Sequence, residues 1–249
     1  MPVGLVTGKQ TILLVVRETR KIHIMGISLK ELGQFLVYGS ERVTRETNKW
    51  LTRDYTKNKV AQAIKQINPN KALSIDGLSG NFFKHYWEIV GNDTVSFCLD
   101  VLNGNKNISN LNETMIILIP KIRDPCELTN FRLISLYRFV YKIISKVYTN
   151  RLKAALLSCI SQNQSTFLPG RMIHDSILIA HELFHYLQSS NNGSNKGIVV
   201  KLDMNKAYDR VEWNFIETIM KKMRFDGKWI NKIMDCVCSV KYTVKCNNI

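Results

Sequence analysis

The stretch KLDMNKAYDRVEW, residues 201–213, holds the residues best suited to chemistry. It begins within the apolar run Ile198–Leu202, which predicts a buried strand, and Asp203 stands where that strand ends. A carboxylate at a strand end is held by the sheet while it faces solvent, which suits a metal ligand for phosphoryl transfer. Asp209 falls in the next predicted helix, where an acid also caps the helix or pairs with Arg210. Spacing alone leaves open whether Asp203 is a metal ligand or a helix cap.

A second spacing that fits metal chemistry is the H-E-x-x-H formed by His181, Glu182 and His185. On a helix it places two imidazoles on one face, with the glutamate as the general base of a zinc hydrolase. A third ligand has no recognised spacing, so zinc hydrolysis is the minor alternative. The apolar residues of the same helix predict that it packs into the core; they are Leu178, Ile179, Leu183, Phe184 and Leu187.

Positive charge is concentrated between residues 121 and 153, where eight Lys or Arg accompany two acids. The apolar runs Met115–Ile119 and Phe131–Leu136 predict two strands of a hairpin, and Lys121 and Arg132 flank its loop. Such a loop can fold over an anion, and Arg is suited to bidentate contact with phosphate. For the helix Lys142–Lys153 the favoured interpretation is a basic face that simply contacts water.

Helices are the elements that dominate the rest of the chain. Apolar spacing predicts a helix that stops before Pro69, helices over FFKHYWEIVG and TVSFCLDVL, and a strand over Val240–Val244. Residues 1–48 contain a short β-like run and no motif, and they are assigned no role. Further helices are predicted over Tyr141–Leu157, Ile173–Leu187, the stretch from Trp213 to Met223, and Lys228–Cys238.

The composition points to a polyanionic partner. The 249 residues include 35 Lys plus Arg against 20 Asp plus Glu, a net charge of +15, and 45% are hydrophobic. These values exclude a disordered tail, and they favour nucleic acid as the partner, with an anionic membrane surface second. The apolar run Thr11–Val16 is too short to span a membrane, and no secretory signal is evident. We therefore expect an intracellular protein, nuclear or cytoplasmic, that is not secreted and does not bind a membrane.

Four blocks of sequence resemble the reverse transcriptase of plant non-LTR (LINE-type) retrotransposons. They are NKALSIDGLSGNFFKHYW, LIPKIRDPCELTNFRLISLYRFVYKIISKVYTNRLK, NQSTFLPGRMIHDSILIAHE and KLDMNKAYDRVEW, and they occur in the family's order. The resemblance implies an α+β fold: an incomplete right-hand polymerase with fingers and the first part of the palm, helix-rich with a small, mainly antiparallel sheet. It divides the chain into an unassigned segment, 1–48, and a partial reverse transcriptase domain, 49–249.

The resemblance also implies partners and residue roles. The partners are an RNA template, a DNA primer, dNTPs and two Mg²⁺ ions. Asp203 matches the catalytic palm carboxylate that binds metal, and Tyr208 matches the residue that excludes a ribose 2′-hydroxyl. Lys121 and Arg132 match fingers residues that contact the incoming triphosphate. The F-x-P-G-R turn that shapes the template path is matched by Phe167, Gly170 and Arg171. The H-E-x-x-H segment becomes a helix of the fingers, which weakens the zinc hypothesis.

Departures from the family pattern bear on activity. Leu133 replaces the proline of F-R-P-I-S-L, and Leu73 and Ser74 alter N-K-A-P-G-P-D-G. Residues 241–249 resemble the strand that precedes the family's R-Q-G-D-P-L-S-P block. Neither that block nor the family's Ala-Asp-Asp pair is found in these 249 residues. Because two metal ions need more than one carboxylate, we expect a C-terminally truncated fragment that is inactive in isolation. The alternative is a non-catalytic remnant that still binds nucleic acid.

Overall fold

Helices and two small β-sheets make up the described part of the chain. The computed structural model describes residues 4–7, 11–16, 42–70, 73–160, 170–189, 198–203 and 211–245. In chain order the elements are β1 (Gly4–Thr7), β2 (Thr11–Val16), α1 (Arg45–Leu51), α2 (Lys57–Gln66), α3 (Gly80–His85), α4 (Trp87–Asn103), β3 (Glu113–Pro120), β4 (Phe131–Tyr137), α5 (Phe139–Leu156), α6 (Ile173–Ser189), β5 (Ile198–Asp203), α7 (Trp213–Lys222), α8 (Gly227–Cys238) and β6 (Lys241–Lys245).

Contacts along the chain divide it into two compact units, each assembled from two separate segments. Unit 1 comprises Met1–Thr47 and Lys153–Phe225, and unit 2 comprises Asn48–Leu152 and Asp226–Ile249. The polypeptide therefore passes from one unit to the other three times.

Unit 1 contains an antiparallel sheet with the strand order β1-β2-β5. β1 pairs with β2, and β2 pairs with β5 over six residues, from Thr11 opposite Asp203 to Val16 opposite Ile198. The N-terminal run to which the sequence assigns no role thus supplies the backbone partner of the strand that carries Asp203.

The remaining core of unit 1 surrounds the end of α7. Met220, Met223 and Phe225 are buried together with Val43, whose N–H donates to the Met223 carbonyl at 2.9 Å. The helix is stopped by Arg224, which has a left-handed φ of 62° and lets the Phe225 N–H return to the Met220 carbonyl at 3.1 Å.

Unit 2 contains a mixed sheet with the strand order β4-β3-β6. β3 and β4 form an antiparallel hairpin from Thr114 opposite Tyr137 to Pro120 opposite Phe131. β6 runs parallel to β3, from Lys241 opposite Glu113. A parallel partner needs a long crossover, and more than 100 residues of chain lie between these two strands.

The core of unit 2 joins helices from both of its segments. Asn112 is a buried polar residue beside this core, and its Nδ2 donates to the Cys236 carbonyl at 2.7 Å and to Ser239 Oγ at 3.0 Å. Its own carbonyl accepts the Lys241 N–H at 2.9 Å, which fixes the start of β6 beside β3. The largest fully buried apolar side chains are Trp229, Leu51, Leu102, Ile143, Ile144 and Val60.

The structure confirms the predicted helices and strands to within a few residues, including the hairpin of β3 and β4. The prediction of a helix-rich α+β chain is also confirmed. The expectation of a single small sheet is corrected in two respects: the described residues form two sheets, and β6 joins β3 in parallel although the other pairings are antiparallel. The assignment of fingers and palm and the division near residue 49 stay predictions.

The expectation that α6 packs into the core is wrong for several of its residues. Leu178, Ile179 and Phe184 have 62%, 37% and 50% of their surface exposed. Within the described ranges α6 lies beside β1, and this packing leaves these three apolar side chains in contact with solvent. A helix long and apolar enough to cross a bilayer is not found in the described part of the chain.

Candidate functional site

The hairpin of β3 and β4 brings Lys121 and Arg132 to the same end of one sheet. Arg132 lies opposite Ile119 in the ladder, and the Lys121 N–H donates to the Asn130 carbonyl at 2.8 Å just beyond it. Apolar residues of the two strands, MIILI and FRLISL, form the ladder, and Pro120 ends β3. The predicted proximity of the two cations to one loop is therefore confirmed, whereas their contact with a triphosphate stays a prediction.

Lys121 also closes the loop with its side chain. Its Nζ donates to the Thr129 carbonyl at 2.8 Å, so the ammonium is held over the loop while the side chain remains exposed. A short 3₁₀ turn, Leu128–Asn130, follows, in which the Asn130 N–H donates to the Glu127 carbonyl at 2.9 Å. An ammonium has three donors, so this bond leaves donors for an anion.

The remaining charges of the loop are exposed as well. Arg123 lies two residues after Lys121, and both acids of the basic segment, Asp124 and Glu127, also lie in the loop. Arg132 is exposed on β4. Three cations against two acids leave the hairpin end with a small net positive charge, which attracts phosphate.

The basic residues of α5 are placed differently, because the protein itself uses them. Arg151 stacks on the Tyr55 ring with its guanidinium carbon 3.4 Å from the ring centroid. Its nitrogens donate to the carbonyl of Leu51, the last residue of α1, at 2.9 Å, and to the carbonyls of Arg53 and, at 3.3 Å, Asp54, which follow the helix. Burial lowers the pKa of Arg151, and burial also raises the pKa of Tyr55.

Two further cations near the start of α5 also have partners within unit 2. Arg138 forms an ion pair with Glu113 at 2.6 Å, and Lys142 donates to Ser74 Oγ at 3.4 Å and lies over the Tyr137 ring. The interpretation of residues 142–153 as a merely solvated face is therefore wrong for Lys142 and Arg151. The cations of the basic segment that face solvent are those at the hairpin end.

Asp203 is the last residue of β5, where its backbone lies opposite Thr11 of β2. The predicted strand before it is confirmed. It belongs to unit 1, whereas Lys121 and Arg132 belong to unit 2. Tyr208, the proposed selector against ribose, lies outside the described residues.

The F-x-P-G-R turn is described from its glycine onward, and Phe167 lies outside the described residues. Gly170 has a φ of 77°, a left-handed conformation that glycine adopts without strain. Arg171 follows it, and its Nη2 donates to the Ile160 carbonyl at 3.4 Å. The Met172 N–H donates to Asp175 Oδ2 at 3.3 Å, at the start of α6. The glycine thus turns the chain into a helix, and a role in the template path stays a prediction.

Metal binding receives no geometric support from the described side chains. Among the residues that the structure describes, no three His, Cys, Asp or Glu side chains converge into a metal-binding cluster. His181, Glu182 and His185 are all exposed on α6. Asp203 by itself supplies one carboxylate, which is not a two-metal site. The described residues thus supply no complete donor set for two Mg²⁺ ions, and Mg²⁺ binding stays a prediction.

The family described as reverse transcriptase (RNA-dependent DNA polymerase) matches residues 119–248, which is more than half of the chain. The chain belongs to the reverse transcriptase family. The match begins at Ile119, one residue before the end of β3. It includes all of β4, the strand β5 and the helices that follow β5. All residues singled out from the sequence lie inside it: Lys121, Arg132, Phe167, Gly170, Arg171, Asp203 and Tyr208.

A transposon protein is also similar to this reverse transcriptase chain. The Xenopus laevis protein named "Transposon TX1 uncharacterized 149 kDa protein" is 26% identical over 205 residues, which are 82% of this chain. The chain spans 15% of the length of that relative. The activity of the whole relative is therefore not assigned to this chain by the similarity.

Sequence reasoning missed an aromatic cluster at α3 and the start of α4. It treated FFKHYWEIVG as a helix and nothing more. The available signal was composition: Phe82, Phe83, Tyr86 and Trp87 lie within six residues, together with His85. A short helix buries only one face, so a cluster of five rings predicts that some of them contact solvent.

Proposed function

We propose that this chain is part of the RNA-directed DNA polymerase of a non-LTR, LINE-type retrotransposon, comprising the fingers and the first part of the palm. The observation that carries the proposal is the reverse transcriptase match over residues 119–248, which contains every candidate site residue. Similarity to a transposon protein supports the retrotransposon context. The plant origin rests on the resemblance of the sequence blocks alone.

In this proposal the hairpin end handles the incoming nucleotide. The Lys121 ammonium, held over the loop by the Thr129 carbonyl, and the exposed Arg132 guanidinium contact the triphosphate oxygens. Tyr208 excludes nucleotides that carry a 2′-hydroxyl. The turn at Phe167, Gly170 and Arg171 guides the RNA template, and the DNA primer and dNTP complete the set of partners.

Asp203 is the proposed catalytic carboxylate and the first Mg²⁺ ligand. Its place at a strand end supports this role, because a sheet fixes the backbone from which a ligand side chain extends. Two Mg²⁺ ions, when bound, stabilise charge on the attacking and leaving oxygens. One carboxylate does not hold both ions, so a polypeptide of these 249 residues should not extend a primer by itself. Extension of a DNA primer on RNA by this polypeptide, with Mg²⁺ and dNTPs, would contradict that statement.

The competing proposal is a non-catalytic nucleic-acid-binding chain, favoured by the net charge of +15. Photocrosslinking with dATP γ-(4-azidoanilide), which carries its azide on the triphosphate, distinguishes the two, because it detects a nucleotide site without needing catalysis. We expect labelling within residues 121–132, competed by dATP, and about a tenfold loss in the variant Lys121→Ala/Arg132→Ala.

The matched control is Lys222→Ala, which removes an exposed cation of α7. It should label as the wild type does. Labelling spread evenly over the lysines of the chain, or unaffected by the double variant, would favour the plain binding protein over the polymerase. A zinc hydrolase at His181 and His185 is the minor alternative, and stoichiometric zinc in the purified chain would be needed to support it.

A further inference from the structure

A surface groove in unit 2, which we name the α3 groove, is lined by Ser79, Asn81, Phe82, His85 and Tyr86. We propose that the α3 groove binds a base of single-stranded nucleic acid, which stacks on the Tyr86 ring. The inference rests on the proposed function, since a polymerase must hold its template as a single strand. It adds a contact outside the residues matched by the reverse transcriptase family.

Three rings form the aromatic side of the groove. Phe82 and Tyr86 have centroids 5.1 Å apart and are tilted by 43°, and the His85 ring meets Tyr86 edge-on at 6.4 Å. Half of the Tyr86 surface is exposed, at 50%. An exposed ring held against other rings offers a flat face to a base, and such stacking tolerates any base.

The short helix that carries these rings is firmly anchored. Phe83 is buried and stacks on Phe139 of α5 at 4.3 Å, and Ser79 Oγ caps α3 by accepting the Phe82 N–H at 3.2 Å. A Cβ on Gly80 would come within 2.7 Å of the Pro69 backbone, so glycine permits the close packing of α3 on that loop. Rings on an anchored helix lose little conformational entropy when a base binds.

The polar side of the groove can recognise the edge of a base. Asn81 Nδ2 donates to Asn70 Oδ1 at 3.2 Å, and both residues are exposed. Within the described part of the chain, this bond uses one amide hydrogen of Asn81 and leaves its Oδ1 and second hydrogen for other partners. An amide that offers one donor and one acceptor matches base edges in single-stranded nucleic acid.

The charge of the surrounding sequence fits a phosphate backbone. Residues 57–88 include the exposed Lys57, Lys59, Lys65 and Lys84, against the acids Asp76 and Glu88. An acidic peptide would use the lysines and give the rings and the amide no role. Single-stranded nucleic acid uses all three features, because its phosphates contact cations while its bases stack and form hydrogen bonds.

The test is fluorescence anisotropy with the whole 249-residue chain and three labelled probes of one sequence: a 12-nucleotide RNA, the same sequence as DNA, and the RNA–DNA duplex. Tyr86→Ala should weaken binding of both single strands about fivefold or more, the lower end of the effect of one stacked base. Tyr86→Phe should restore it. Duplex binding should not change, because its bases are already stacked.

The matched control is Ile89→Ala, which shortens a 75% exposed apolar side chain on the next helix turn. It should bind every probe as the wild type does, and all variants should melt at the wild-type temperature by circular dichroism. Equal losses on single strands and duplex, or single-strand affinity within twofold of wild type for Tyr86→Ala, would overturn the stacking contact.

The outcomes separate this inference from the proposed function. A wild-type chain that binds single strands and duplex, with Tyr86→Ala unaffected, overturns the α3 groove alone. A wild-type chain that binds no probe at low salt overturns both. Loss of RNA binding with DNA binding retained would restrict the groove to RNA and keep the inference.

Discussion

The hairpin end and the Tyr55–Arg151 cluster are both rich in cations, but they use them in opposite ways. At the hairpin end, Lys121 and Arg132 are exposed, and Lys121 has one carbonyl as its partner. In the cluster, Arg151 is half-buried, lies 3.4 Å from the Tyr55 ring centroid and donates to three carbonyls. The difference teaches that local charge density does not show which cations are available to bind a ligand. Burial and several backbone acceptors mark a cation that the fold itself uses, and exposure marks one that can bind.

The first way to break this comparison is to remove Arg151. Arg151→Ala leaves three carbonyls, at and just after the end of α1, without this donor and uncovers Tyr55, so the free energy of unfolding should fall by about 2–4 kcal/mol. Arg151→Lys should recover only part of it, because an ammonium does not form the same fork. Urea unfolding followed by circular dichroism measures the change.

The control is Lys146→Ala, on the same helix and also half-buried. It should cost less than about 1 kcal/mol. If Arg151→Ala is no worse than this control, the cluster does not stabilise the fold, and the contrast with the hairpin end is lost.

A second test concerns two buried thiols of unit 2, Cys98 and Cys236. Burial raises the pKa of Cys98 and of Cys236 to about 12, above an ordinary value of 9.0, and Asp235 acts in the same direction on Cys236. A raised folded pKa contributes stability that is complete below pH 9 and is lost as the pH rises toward 12. The free energy of unfolding should therefore fall by about 1 kcal/mol per thiol from pH 8 to pH 10.

Cys98→Ala should reduce that fall by about 1 kcal/mol, whatever its effect at pH 8. Cys126→Ala removes an exposed thiol and should leave the slope unchanged. An equal slope in the wild type and Cys98→Ala would show that the buried thiol ionises freely.

The third prediction concerns the hairpin end. Lys121→Ala/Arg132→Ala should change the free energy of unfolding by less than about 1 kcal/mol, because both side chains are exposed. Affinity for dATP should fall about tenfold, because these two cations contact the triphosphate in the proposed function, and competition of the photocrosslink by dATP measures the change. Lys222→Ala serves as the control. An unchanged affinity would place the hairpin cations with the structural ones.

The smallest expected effect belongs to the ion pair of Glu113 and Arg138. Its side chains are partly exposed and hydrogen-bond to each other, so the pair is intermediate between the hairpin end and the Tyr55–Arg151 cluster. The hydrogen bond from Arg138 lowers the pKa of Glu113, so the pair contributes above the unfolded pKa and is lost as the pH falls. In Arg138→Gln the midpoint of the Glu113 titration should rise toward 4.5, as measured by NMR. A midpoint that does not move would mean that the pair is not formed in solution.

The sequence predicted the elements well because their signals are local. MIILI and FRLISL predict strands by composition, and the helices before Pro69 and Gly104 end where those residues require. The place of Asp203 at a strand end followed from the same local signal.

Long-range contacts could not be predicted in this way. The partners of Arg151 lie about 100 residues earlier in the chain, at Leu51 and Arg53. The exposure of α6 depends on what covers it, and its apolar residues look the same whether covered or not. The role of the α3 groove depends on the placement of Asn70 beside Asn81, which no periodicity encodes.

The pairing of β2 with β5 has a consequence for synthesis on the ribosome. Thr11 must wait for Asp203, 192 residues later, before its strand is paired on that side. At roughly 5–20 residues per second, the apolar edge TILLVV stays open for about 10–40 seconds. During that interval it can pair with the same edge of a neighbouring nascent chain, so the yield of folded protein should depend on translation speed and on chaperones that cover strand edges.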